Sequence, residues 1–253
     1  MASEAPAPPR GTRLTSDGRT LRWWAEIATI VAFYLVYSAV RNANQGGAQV
    51  AFSHARVVID WERALGLYHE ETIQDWALRW RPLVIAMNYA YGSLHFIVTA
   101  WVGVRLFRRH PDHYPLWRNV LGCTTGLALV GFLLWPLMPP RLVPDTYGFV
   151  DTLSRYPTFW SFDSGGLQRV SNQFAAMPSL HFAWSLFCVF ALAPRLTSPR
   201  SRILLGCYPL LTLAAIVITG NHFVLDAAGG AFVLALGFIL GRQLTRLAAP
   251  RPA

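Results

Sequence analysis

The sequence contains no lysine: all 22 of its basic residues are arginine. Charge is scarce as well, at 14% of 253 residues, against about a quarter in ordinary soluble domains. With 53% of residues hydrophobic, that scarcity excludes an ordinary soluble globule. Cysteine is nearly absent, and Cys123, Cys188 and Cys207 all fall inside apolar runs. An odd number in such places argues against a disulfide framework and for small buried side chains. No run alternates apolar and polar residues, so membrane strands are not indicated. The arginines do not cluster on one predicted face. The net charge of +9 therefore indicates no nucleic-acid partner. No internal repeat is found.

What the sequence does have is six long apolar runs, at residues 23–40, 83–107, 120–138, 178–193, 203–219 and 223–241. A helix needs about 20 residues to cross a hydrocarbon core of roughly 30 Å. The expected fold is all-α: a polytopic membrane protein with six transmembrane helices in a bundle. The fourth and fifth runs are short. The run at 23–40 lacks a clear small-residue cleavage site, and further apolar runs follow it. It therefore reads as a membrane segment, not a secretory signal. Residues 1–20, rich in Pro, Ser, Thr and Arg, are expected to form a disordered cytoplasmic tail. The membrane domain is expected over 21–246, and a short tail over 247–253.

Arginine also predicts the orientation. With the N-terminus inside, the inner segments hold Arg10, Arg13, Arg19, Arg22, Arg105, Arg108, Arg109, Arg118, Arg195, Arg200, Arg202, Arg242, Arg246 and Arg251, which is 14 of 22. The remaining eight lie in two long outer segments, which count for little. Both termini are then cytoplasmic, in a multi-pass protein of the cell membrane. The first outer segment, 41–82, contains a stretch at 57–70 whose mixture of Trp, Leu and charge suits one helix lying at the interface. Glu62 and Arg63 read there as a solvated pair or a packing device. The second, 139–178, is rich in Pro, Gly, Ser and Asp and is expected to form an extracytoplasmic cap loop.

Two strings carry chemistry. One is Met177-Pro178-Ser179-Leu180-His181; the other is Gly220-Asn221-His222-Phe223-Val224-Leu225-Asp226. Both fall on the outer face at helix ends. An Asp at a bilayer centre costs about 2.5–3.5 kcal/mol on insertion scales, so such groups need a reason. His222 and Asp226 are four apart and share one helix face. The carboxylate can fix the imidazole tautomer and leave the other ring nitrogen free to attack. Gly220-Asn221 breaks the chain before them. Pro178 suits the first position of a helix, so the N–H groups of Ser179 and Leu180 are expected to face outward and hold an anion. His181 lies one turn in, as a proton donor. Arg141, stiffened by Pro139 and Pro140, follows the third run, and its guanidinium matches phosphate geometry. Together these residues describe phosphoryl transfer.

The pattern resembles the type 2 phosphatidic acid phosphatase superfamily, the lipid phosphate phosphatases. Within it, the wording Gly-Asn-His-x-x-x-Asp is similar to the inositol phosphorylceramide synthase branch. Pro178, Ser179 and His181 match the family's Pro-Ser-x-His motif. His222 and Asp226 match its His-x-x-x-Asp motif. The resemblance covers about residues 57–241. It implies a metal-independent enzyme without cofactor, acting through a phosphohistidine. His222 is then the nucleophile, His181 the acid and base, and Asp226 the residue that holds His222, while Arg141 and the Ser179–Leu180 region neutralise phosphate oxygens. The implied substrate is a phospholipid of the bilayer, and the acceptor is water or a polyol.

Two cations of the family pattern are missing. Leu134 stands where the first motif has Lys, and Leu142 follows Arg141 where that motif has Pro. Ile216 stands where the third motif has Arg. Arg155 or Arg169 is expected to substitute, and the loss suits a phosphodiester. Several readings stay open at this level. Arg141 is also a candidate headgroup anchor. His95, midway along the second run, is either functional or a neutral interhelical hydrogen-bonding group. Asn221 is a further site candidate. A zinc site on His181, His222 and Asp226, a simple lipid phosphate hydrolase, and a non-enzymatic lipid transporter or scaffold are the rivals.

Overall fold

The computed structural model describes residues 11–43, 47–156, 158 and 172–249. An antiparallel hairpin, β1 (Thr12–Leu14) and β2 (Thr20–Arg22), leads into the helices. The helices are α1 (Trp23–Ala43), α2 (Ala48–Ala64), α3 (Glu70–Leu78), α4 (Arg81–Arg109), α5 (Tyr114–Leu134), α6 (Thr152–Arg155), α7 (Leu180–Leu192), α8 (Pro199–Ile218) and α9 (Val224–Leu247). The hairpin corrects part of the expected tail, which has regular structure from Thr12; residues 1–10 lie outside the described residues.

Helix ends follow local chemistry. α4, α5 and α8 each begin with a proline in the first turn, where the missing N–H costs nothing. α1 carries Glu26 in its first turn and Arg41 in its last, both favourable to the helix dipole. Ser179 caps α7, its hydroxyl accepting from Phe182 N–H at 3.4 Å. Helix α7 thus begins two residues later than a Pro178 start implies.

Among the described residues, five helices are long and apolar enough to cross a membrane: α1, α4, α5 with its leading turn, α8 and α9. The apolar segment Leu180–Arg195, containing α7, is shorter. At 1.5 Å per residue, 13 helical residues reach only about 20 Å. Apolar side chains gain little by leaving lipid for one another, so close backbone approach must hold such helices together. It does so between α5 and α9. There Gly237 and Gly241 lie against Thr124 and Val120, with no room for a Cβ. The α7 helix packs between α4, α8 and α9.

The stretch expected to form one interfacial helix is instead two helices. α2 ends at Ala64, the chain turns at Gly66 with φ of +68°, and α3 starts at Glu70. The turn places Glu62 and Glu70 side by side facing inward, and both are fully buried. Glu62 is therefore not part of a solvated pair.

Candidate active site

The chain leaves α8 at Thr219 and turns at Gly220, whose φ is +65°. A Cβ there would crowd Gln74 Nε2 at 2.9 Å and Arg141 Cβ at 3.3 Å, so glycine is required twice over. His222 follows, just before α9, and is 4% exposed. Its Nδ1 lies 3.2 Å from Asp226 Oδ2. A carboxylate only accepts, so Nδ1 carries the proton and Nε2 keeps its lone pair. The same Oδ2 accepts from Phe223 N–H at 3.0 Å. The backbone oxygen of Asp226 accepts from Ser179 N–H at 2.9 Å. One residue thereby orients His222 and also ties the start of α9 to the start of α7. Gly230, one turn further along α9, permits this approach, because a Cβ there would collide with the Ser179 carbonyl.

The tie brings His181 to His222, with ring centroids 5.5 Å apart. Tyr91 of α4 stacks on His181 at 4.3 Å and stands 6.4 Å from His222. His95, one turn along α4, meets His181 edge-on at 4.3 Å. Its Nδ1 is 3.0 Å from the Tyr91 carbonyl. Arg141 arrives from the opposite side. Its backbone N–H donates to Gly220 O at 2.7 Å, its Nε donates to Asn221 Oδ1 at 2.9 Å, and its Nη1 pairs with Asp151 Oδ2 at 3.0 Å. Asn221 is fixed in turn by donating to Thr219 Oγ1 at 2.8 Å. A cavity of about 450 Å³ joins these groups, lined among others by Arg41, Tyr91, His95, Arg141, Leu180, His181, Asn221 and His222. That volume suits a drug-sized ligand or a headgroup with the start of its chains.

Two sequence expectations are corrected. The Ser179 N–H does not face the cavity; it is consumed by Asp226 O, and the Ser179 side chain is fully buried as a helix cap. Arg155 is exposed on α6, with its guanidinium 5.5 Å from the Tyr156 ring, and it does not line the cavity. The zinc reading finds no constellation: among the described residues, no three His, Cys, Asp or Glu side chains converge as metal ligands. Arg169 lies outside the described residues. Leu180 does line the cavity.

Sequence reasoning missed two carboxyls behind the site. Glu70 Oε1 accepts from Val224 N–H at 2.9 Å, and Glu62 Oε1 accepts from Leu225 N–H at 2.7 Å. With Asp226 on Phe223 N–H, three carboxyls hold three successive N–H groups at the start of α9, immediately after His222. Burial, hydrogen bonding with Glu70 and the nearby Glu70 and Asp226 charges push the Glu62 carboxyl up to about 9. Glu62 therefore stays protonated at neutral pH. The sequence signal for Glu62 was its helical phase: it falls in line with Ala51, Ala55, Val58 and Ile59, while Arg56, Asp60 and Arg63 share the opposite face.

A protein-family model described as the PAP2 superfamily matches residues 56–240, well over half of the chain. No curated protein and no solved structure matches it. The matched region starts in α2, ends in α9 and contains His181, His222, Asp226 and Arg141, so the chain belongs to the PAP2 superfamily.

Proposed function

We propose that this chain is an integral-membrane lipid phosphotransferase that moves a phosphoryl headgroup from a phospholipid to an alcohol acceptor through a phosphohistidine. Superfamily membership supports phosphatase or phosphotransferase chemistry without a metal. The observation that carries the reading is the His181–His222–Asp226 arrangement at one wall of a cavity between membrane helices.

In the first step, His222 Nε2 attacks phosphorus while Asp226 holds the Nδ1 proton. The P–O bond to the leaving group breaks, and that oxygen takes a proton from His181. In the second, the acceptor hydroxyl gives its proton to His181 and attacks phosphorus, and the P–N bond to His222 breaks. Arg141 steadies the equatorial oxygens. Water as the acceptor turns the same cycle into hydrolysis. His95 donates Nδ1–H to the Tyr91 carbonyl and packs against His181, so it positions the acid. The six-run topology, with α7 as the short sixth member, the membrane domain over 21–246, cytoplasmic termini and a site on the extracytoplasmic face belong to this reading. The inner loops' arginine content supports it.

The test is turnover of purified protein in lipid against a panel of phospholipids, with and without inositol or other polyols, beside His222→Ala. A new phospholipid formed only with acceptor identifies a transferase. Headgroup or phosphate release without acceptor identifies a hydrolase. Acid-labile label on wild type and none on His222→Ala identifies the phosphohistidine. Equal inertness of both proteins across the panel refutes the enzyme.

A further inference from the structure

The cavity holds two guanidiniums, and they are not equivalent. Arg141 is paired with Asp151 at 3.0 Å and is electrically neutralised. Arg41, at the end of α1, lines the same cavity yet has no acidic partner among the described residues. Its Nη2 donates to the Asn172 carbonyl at 3.1 Å, and Asn172 Nδ2 donates back to the Arg41 carbonyl at 3.2 Å. Its Nε is buried with no acceptor among the described residues. The C-terminal end of α1 offsets at most about half a charge. A half-buried cation with no acidic partner among the described residues is costly, and Arg41 is held in place by Asn172. The Tyr91 ring, stacked on His181, lies within the electrostatic reach of both arginines.

Around Arg41 the wall changes character. Tyr34 and Tyr37 of α1, Phe96 of α4 and Trp184 of α7 also line the cavity, and Tyr34 meets Phe96 edge-on at 6.5 Å. Helix α1 is otherwise almost wholly exposed and apolar on every side, from Trp24 and Ile27 to Leu35 and Val36. An exposed helix of that composition faces lipid. The cavity therefore passes from a cationic end near the histidines to an aromatic edge beside the bilayer.

We propose that Arg41 binds the phosphate of a phospholipid headgroup, entering the cavity from the α1 side with its chains against Tyr34 and Phe96. Arg41 and Arg141 then grip one phosphate from two sides. The pair Arg141–Asp151 is neutral, so Arg41 supplies the net positive charge that one phosphodiester anion needs. This supplies a cation that the sequence pattern lacks at Leu134 and Ile216, from a helix outside the region that the family model matches. The proposal rests on the reading of the site as one for phosphorylated lipid.

The experiment measures binding rather than turnover. Full-length protein in detergent is titrated with dioctanoyl phosphatidylglycerol, dioctanoyl phosphatidic acid, dioctanoylglycerol and inorganic phosphate, as wild type, Arg41→Gln, Arg41→Lys and His222→Ala. Arg41→Gln is expected to weaken both phospholipids by ten-fold or more and to leave dioctanoylglycerol unchanged. Arg41→Lys, which keeps the charge but loses the fork, is expected to fall between. His222→Ala, which cannot turn the phospholipids over, is expected to retain more of its phospholipid affinity than Arg41→Gln does. Tighter binding of phospholipid than of inorganic phosphate identifies the lipid as the phosphate's source. Phospholipid binding by Arg41→Gln within two-fold of wild type overturns the proposal alone. Equal loss of every ligand in both Arg41 variants marks Arg41 as structural and also overturns it. Wild type that binds neither phospholipid overturns the proposed function itself.

Discussion

Glu62 should make the protein less stable as pH rises, and Glu62→Gln should remove that dependence. Glu62 Oε1 accepts from Leu225 N–H at 2.7 Å, while Glu62 Oε2 is buried with no donor among the described residues. Its neighbour Glu70 is occupied by Val224 N–H and His69 N–H. Two buried carboxylates in contact repel, so one proton between them resolves the clash. Burial first, and Glu70 second, push Glu62 up to about 9 from an ordinary value near 4.5. Between those values the folded protein keeps a proton that the unfolded chain has released. Stability is therefore full below about 4.5 and is lost as pH climbs through the window toward 9. For one proton the slope is about 1.4 kcal/mol per pH unit, or up to about 4 kcal/mol from pH 5 to pH 8.

Glutamine matches the protonated acid in shape. Its oxygen keeps the Leu225 N–H bond, and its amide donates toward Glu70. The variant should match wild type within about 1 kcal/mol at pH 5 and exceed it progressively as pH rises from there. Thermal unfolding in detergent, followed by tryptophan fluorescence across pH 5–8.5, reads this out. One kcal/mol moves the midpoint by roughly 2–4 °C in a chain of this size. Other titrating groups contribute equally to both proteins and cancel in the difference. A difference that stays flat with pH would refute the shared-proton account. Glu62→Ala serves as the opposite control. It leaves Leu225 N–H unsatisfied, which costs about 1–3 kcal/mol at every pH.

Asp226→Asn should lower kcat by about 10²–10⁴ with KM little changed, because the amide no longer fixes the tautomer of the His222 imidazole that the proposed function makes the nucleophile; steady-state kinetics on whichever phospholipid turns over checks this. Gly230→Ala should cost about 1–3 kcal/mol and reduce activity together, since its Cβ drives the Ser179 carbonyl and the start of α7 away from α9; paired melting and turnover measurements test the coupling. Ser179→Ala should lose about 1 kcal/mol as a missing helix cap yet keep its affinity for the phospholipid, because the hydroxyl serves Phe182 N–H and not the cavity. A large rise in KM for that variant would return Ser179 to the phosphate-binding set.

The parts of the site that were legible in the sequence are those set by neighbours in the chain. His222 and Asp226 meet because four residues make about one helical turn, and Gly220-Asn221 marks the break before them. Apolar runs located five helices long enough to cross a membrane, with ends up to six residues off, since length against bilayer thickness is a one-dimensional criterion. The failures share a different cause. Outward-facing N–H groups at Ser179 followed from local helix geometry, but the Asp226 carbonyl, 47 positions away, claims the Ser179 N–H. Arg155 was a candidate because it is basic and lies in the cap, whereas cavity access depends on where α6 sits.

Glu62, Glu70 and Arg41 were hidden for the converse reason. Each acts on residues more than 100 positions away, through α9 or Asn172. No spacing rule connects a charge to so distant a partner. What sequence can supply is the anomaly itself. A charged residue set on the inward side of its helix in a lysine-free, charge-poor chain must be paired, protonated or waiting for a ligand. The structure sorts the three into those classes: Glu70 is paired with backbone N–H groups, Glu62 is held protonated, and Arg41 is the cation with no acidic partner among the described residues.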